Sequence, residues 1–237
     1  MFIEVTLLEE LKGPMYNILQ QFPWEFEVKY ALGTQLSTGE IGLDSRGPIL
    51  GAMPGQNPIR FSWNEQIHSW RRDAQCLQGK GPLFKALGVR RGETVIDTTM
   101  GLGRDTSQLL AAGIKVLAFE RVPAVFFLGV AAQIFEGLSK ERLQLNFGSC
   151  HSNPENYPIF FDPMFDDGKK RKAKPNKGME VFHQLVGGDE DSSEEAERLR
   201  HLTKRLVIKR SPKSVELLKG RNSKWESKAL RLDLYLN

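Results

Sequence analysis

Cysteine is scarce in this chain: Cys76 and Cys150 are the only two in 237 residues, with no CxxC pair and no His-rich companion. That spacing supports neither a disulfide framework nor a zinc site, and a reducing cytoplasm fits it. Histidine is nearly as rare. His68, His151, His183 and His201 stand at no triad or metal spacing, so no metal is expected. Apolar runs are all shorter than the roughly 18 residues of a spanning helix. The start, MFIEVTLLEELKG, carries acids where a signal peptide carries a basic leader, so a soluble, unexported protein without a membrane partner is expected.

What is present is globular in character, with 40% hydrophobic and 26% charged residues. The net charge of +4 and pI near 9.0 are compatible with a polyanionic partner and with many ordinary enzymes. The basic charge is concentrated: GKKRKAKPNKG at 168–178 holds six Lys and Arg, and an acidic stretch, GDEDSSEEAE, follows it.

The chain divides by texture. Residues 1–68 are rich in Gly, Pro and turn formers between short apolar bursts, which predicts a small β-rich N-terminal subdomain built from hairpins. Residues 69–237 form the second expected domain. After a helical or irregular bridge, strands are expected at 94–97, 115–120, 143–148, 158–162 and 205–210, with helices at 104–113 and 123–138 between them. Ser192 and Glu195 have the spacing of a capping box opening a further helix. Apolar strands alternating with helices predict an α/β, mostly parallel, doubly wound sheet. The period-two WESKALRLDLYLN near its end predicts an antiparallel pair at the edge.

Ligands of such sheets lie beyond the carboxyl ends of the strands, so those tips are the candidate site. The first tip is DTTMGLGRD, 97–105, where Gly101 and Gly103 permit a tight turn before a helix. A dinucleotide site wants a third glycine, and Thr106 stands there instead. In a methyltransferase, Asp97 would meet the amino-acid end of S-adenosylmethionine. Glu120, ending the next strand, would accept ribose hydroxyls from either cofactor, so it does not discriminate. The fourth tip, Asp162-Pro163-Met164-Phe165, resembles the D/N/S-P-P-Y/F motif of amino-methyltransferases. There Asp162 and a carbonyl of the Pro163 turn would hold the two N–H groups of an exocyclic amine, and Phe165 would stack on the base.

Taken in order, DTTMGLGRD, FERVP, ERLQLNFGSC, FFDPMF, GMEVFHQLVG, RLVIKRSP and SKALRLDLY resemble the bacterial small-subunit ribosomal RNA guanine-N2-methyltransferases of the J type, over residues 70–237. The resemblance implies a class I methyltransferase fold: a Rossmann-like, mostly parallel seven-stranded sheet with an antiparallel terminal strand. It also implies S-adenosylmethionine as donor and a guanosine amine of small-subunit rRNA as acceptor. By that similarity, cofactor contacts fall on Arg104, Asp105, Glu120, Arg121, Ser149, Cys150 and Asp162, beside Asp97, Gly101 and Gly103. The chain departs from the family pattern at Asp166, where proline is usual, and at Leu230-Arg231-Leu232, where His-Arg-Phe is usual. The cations Arg71, Arg72, Lys169, Lys170, Arg171, Lys209 and Arg210 are then candidates to meet RNA phosphates. Two other readings stay open: a methyltransferase of another nucleic acid, protein or small-molecule amine, and an RNA-binding module that keeps the fold without activity.

Overall fold

The computed structural model describes residues 2–8, 27–32, 35–52, 54–163 and 191–237. They gather into two compact units, one containing residues up to 64 with 122–139, the other containing 65–121, 140–163 and 191–237. Met164, Phe165 and the basic cluster with Lys169, Lys170 and Arg171 lie outside the described residues.

The first unit holds a five-stranded sheet of β1 (Phe2–Leu7), β2 (Glu27–Leu32), β3 (Ile41–Asp44), β4 (Gly47–Leu50) and β5 (Ile59–Arg60), in the order β2-β1-β3-β4-β5. The expected hairpin is β3–β4, turning through Ser45 and Arg46, with Gly47 at a φ of +112° where a side chain would be strained. Asp44 fixes that corner by accepting the Arg46 backbone N–H at 2.8 Å and both Arg60 guanidinium nitrogens at 2.9 and 2.5 Å. β1 pairs in parallel with both β2 and β3, an arrangement beyond the predicted hairpins. Helix α5 (Pro123–Glu136) packs on β4. It is apolar nearly all round, starts with proline in its first turn and stops at Gly137 in the left-handed conformation. Trp63 is fully buried there, donating its indole N–H to the Gly129 carbonyl at 2.8 Å.

The second unit carries the expected parallel sheet: β6 (Thr94–Asp97), β7 (Lys115–Glu120), β8 (Leu143–Phe147), β9 (Ile159–Phe161) and β10 (Arg205–Arg210), joined by β11 (Ser223–Glu226) and β12 (Arg231–Leu236). Its order is β11-β12-β10-β9-β6-β7-β8. β12 runs antiparallel to both neighbours, β10 and β11, as the terminal period-two pattern predicts. Helices α1 (Trp63–Arg71), α2 (Ala74–Leu77) and α3 (Pro82–Leu87) form the bridge, and α4 (Arg104–Ala111) and α6 (Ser192–His201) follow β6 and precede β10. Ile159 and Phe161 of β9 pack with Ile96, Leu206, Ile208, Ala196 and Leu199 in the buried core. No helix among the described residues is long and apolar enough to cross a membrane.

One local expectation is corrected. Ser192 is the first helical residue of α6, not its cap; Asp191 occupies the cap position and makes no side-chain cap hydrogen bond. Its carboxylate binds the Arg121 guanidinium at 2.6 Å, and Glu195 binds Arg198 at 2.6 and 2.8 Å. Charge-assisted bonds to guanidinium displace the weaker local bonds to the helix amides. β9 also stops at Phe161, which leaves Asp162 beyond the strand at its carboxyl tip.

Candidate active site

The chain runs outward from β6 to β7 and β8, then returns to place β9 on the other side of β6, so the switch point lies between the tips of β6 and β9. Those two tips carry the glycine turn and Asp162. The structure thus brings together Asp97, Gly101, Gly103, Asp105, Glu120, Asp162, Pro163 and Lys209 around one sheet edge.

The turn after β6 is held from below. Gly101 and Gly103 take φ values of +53° and +76°, which favour glycine, and Gly103 opens α4. The Gly101 N–H donates to the Glu120 carboxylate at 2.9 Å, tying the turn to the tip of β7. Asp97 is buried at 1% exposure and accepts the Thr106 hydroxyl at 2.6 Å and the Thr99 N–H at 3.1 Å. Burial pushes its carboxyl up to about 7 against those two hydrogen bonds, with the Asp105 and Asp162 charges adding to the rise. Thr106, the residue standing where a dinucleotide site has its third glycine, is thereby explained as the anchor of Asp97.

Thr99 joins the two tips: its hydroxyl accepts the Asp162 backbone N–H at 2.7 Å while its own N–H reaches Asp97. Lys209, near the end of β10, reaches across with its ammonium 2.8 Å from Asp162 Oδ2 and 2.7 Å from Asp105 Oδ2. The Asp162 carboxyl is raised to about 6: burial drives it up, Lys209 pulls against that, and Asp105 adds to the rise. Burial lowers the Lys209 ammonium, but the two carboxylates outweigh it and hold it above the ordinary lysine range. Lys209 therefore sits inside an acidic cluster instead of facing outward.

The remaining expected residues are placed less centrally. Arg104 is exposed, stacks over the Trp70 ring at 5.5 Å, and accepts the Trp70 indole N–H on its carbonyl at 3.1 Å. Arg121 pairs with Asp191. Ser149 is half-buried and Cys150 fully buried at the tip of β8; burial pushes the Cys150 thiol up, and its S–H points to the Ser152 carbonyl at 3.4 Å. The Cys150 carbonyl accepts Arg198, which Glu195 orients. Arg71 and Arg72 are exposed at the end of α1, and Arg210 is buried, donating to the Val215 carbonyl at 3.0 Å. Thr99, Thr106 and Arg198 carry no signal in the sequence, since each acts on a partner distant in the chain or on a backbone atom.

Among the described residues, four carboxylates, Asp97, Asp105, Glu120 and Asp162, lie at this edge, with the ammonium of Lys209 between two of them. The excess of acid suits a cationic ligand, and the backbone at Gly101 and Gly103 leaves room for close approach. S-adenosylmethionine, with its sulfonium and α-ammonium, fits that donor set. The turn and Asp97 would hold its amino-acid end and Glu120 its ribose.

The sequence matches the model of the SAM-dependent methyltransferase family over residues 50–237. It is 36% identical over 172 residues to a ribosomal RNA small subunit methyltransferase J of Bdellovibrio bacteriovorus, covering 67% of each chain. A protein of the same name from Idiomarina loihiensis is 33% identical over 202 residues, covering 76% of this chain and 74% of that one. Among solved structures, a SAM-dependent methyltransferase from Neisseria gonorrhoeae shares the fold with a TM-score of 0.63 at 20% identity, over 98% of this chain and 95% of that one. The chain belongs to the S-adenosylmethionine-dependent methyltransferase family represented by the ribosomal RNA small subunit methyltransferases J.

Proposed function

We propose that this enzyme methylates the exocyclic N2 amine of a guanosine in small-subunit ribosomal RNA, acting in the cytoplasm on the RNA or the small subunit. The observation that carries this reading is Asp162, followed at once by the buried Pro163, at the tip of the strand beside the glycine turn. When bound, S-adenosylmethionine supplies an electrophilic methyl group on a sulfonium.

The difficulty for this reaction is the nucleophile, because the guanine amine delocalises its lone pair into the ring. Asp162 accepts one amine N–H and so favours a pyramidal nitrogen whose lone pair is free to attack. The proline corner keeps that carboxylate fixed. As the new N–C bond forms and the methyl's bond to sulfur breaks, the nitrogen would lose a proton to the Asp162 carboxylate. Asp97 and Glu120 contribute by positioning the donor, which is where most of the rate enhancement of such a transfer arises. A base stacked inside a helix is turned out to enter the crevice.

The reading is supported by the names of relatives at 33–36% identity. It is tested by incubating the purified protein with methyl-labelled donor and either small subunits or naked rRNA lacking the modification, then mapping the product by mass. Label on a guanosine N2, lost in Asp162→Ala with the fold intact, is the expected result. Label on protein or a small amine would overturn the acceptor assignment, and full turnover by Asp162→Ala would overturn the role of that carboxylate.

A further inference from the structure

The segment between β10 and β12 is basic and is bound to the same sheet edge. Residues 211–230 contain five Lys or Arg and two Glu. They surround a cavity of about 590 Å³ lined by Ser214, Val215, Glu216, Lys219, Arg221 and Lys224, among others.

The loop has a rigid base. Arg231 forks onto the buried Asp233 at 2.8 and 2.9 Å and also donates to the carbonyls of Pro212 at 3.1 Å and Ser214 at 2.8 Å. Arg221 spans Glu216 and Asp233 at 2.9 Å each. These guanidinium groups are consumed internally. The lysines are not: Lys213 and Lys219 are exposed and make no ion pair among the described residues. Lys224 is paired with Glu226, but both side chains are well exposed, at 49% and 39%, where such a pair contributes little and exchanges readily. Between the lysines stands Val215, a large apolar side chain 83% exposed.

Position decides what this surface meets. Arg231 lies directly opposite Arg210, and Lys209 touches Asp162, so the loop base is two strand spacings, about 10 Å, from the strand that carries Asp162. The rim therefore lies within reach of the nucleotides that flank a base held at Asp162. Flexible ammonium groups over a fixed base suit phosphates met without sequence readout.

We propose that this loop binds the sugar–phosphate backbone flanking the target guanosine, with Lys213, Lys219 and Lys224 meeting phosphates and Val215 lying against a sugar or base. The inference rests on the reading of RNA as the acceptor. It is tested with the full chain and the triple variant Lys213→Ala, Lys219→Ala, Lys224→Ala, using a fluorescent transcript of the rRNA region methylated by the wild type, without donor. The variant is expected to bind at least ten-fold more weakly. The slope of log affinity against log salt should be shallower by about two to three, one phosphate per lysine. In turnover the loss should appear in KM for RNA more than in kcat, with donor affinity unchanged. Equal affinity and equal salt slope would overturn the proposal. So would a defect confined to assembled subunits and absent on naked RNA, which would assign the loop to a protein partner. If the wild type methylates no RNA, the acceptor reading fails; the binding comparison on a generic rRNA hairpin still decides whether these lysines hold RNA.

Discussion

The Lys209 ammonium sits 2.8 Å from Asp162 and 2.7 Å from Asp105, so one cation is shared by two carboxylates at the candidate reaction centre. In the proposed reaction Asp162 works as an anion, and its carboxyl lies at about 6 with burial opposed by Lys209. Activity should therefore fall on the acid side of about pH 6 in the wild type. Lys209→Met removes the influence that lowers the carboxyl and leaves burial and Asp105, both of which raise it. Its acid limb should move up through neutrality, with at least a ten-fold loss at pH 7 and partial recovery at pH 9, while Lys209→Arg restores much of the profile. A pH–rate profile of the variant parallel to wild type, merely lowered, would show that Lys209 is only structural.

Asp97 should cost stability in the free enzyme. Its carboxyl is raised from 3.8 to about 7, so the folded state binds its proton more tightly than the unfolded state does. Stability from this group is therefore full below about pH 4 and declines as pH rises toward 7. Asp97→Asn should be stabilised at pH 8 by on the order of 2 kcal/mol, a rise of about 4–8 °C in melting temperature, with no gain at pH 4. Donor affinity, measured by calorimetry, should drop in the same variant. An unchanged melting temperature at both pH values would contradict the assignment of a buried, ionised Asp97.

Arg231 and the wholly buried Asp233 form a pair whose halves depend on each other. Arg231→Ala leaves a buried carboxylate without its bidentate partner and should destabilise by about 3–5 kcal/mol. The double change Arg231→Met with Asp233→Leu should recover part of that loss, because it removes the buried charge along with Arg231 and leaves Arg221 paired with Glu216 alone. Denaturant titration of the three proteins decides it.

Trp63 offers a test within the N-terminal unit. Trp63→Phe keeps most of the buried ring but takes the indole N–H from the Gly129 carbonyl, and should cost about 1–3 kcal/mol. Trp63→Ala should cost about 3–5 kcal/mol. A Phe variant as stable as wild type would show that the indole bond adds nothing to a carbonyl already serving the ladder of α5.

Strands β6, β7 and β10 are legible to the residue, because each is a short apolar run ending in a charged residue at the carboxyl edge. Asp162 and Glu120 are legible for the same reason: an acid at the end of a buried strand stands out. Thr106 is not, since its role is to hold Asp97 nine positions away, and nothing in its neighbours announces it. The Ser192–Glu195 pattern misleads because it weighs only local bonds. Asp191 turns to Arg121, which only the fold brings near, and Glu195 turns to Arg198 one turn on in its own helix, a competing pair that the capping pattern ignores. The same limit hides the parallel pairing of β1 with β2, whose partner strand lies about twenty residues away.

Among the described residues β12 is the sole neighbour of β11 in the sheet, although β11 precedes it in the chain. β11 is therefore held by a single ladder, with the Arg231–Asp233 clasp at its base, so local opening of this sheet is expected to begin at that edge. A molecule opened there keeps the crevice carried by β6, β7 and β9 while it loses the surface proposed to hold RNA.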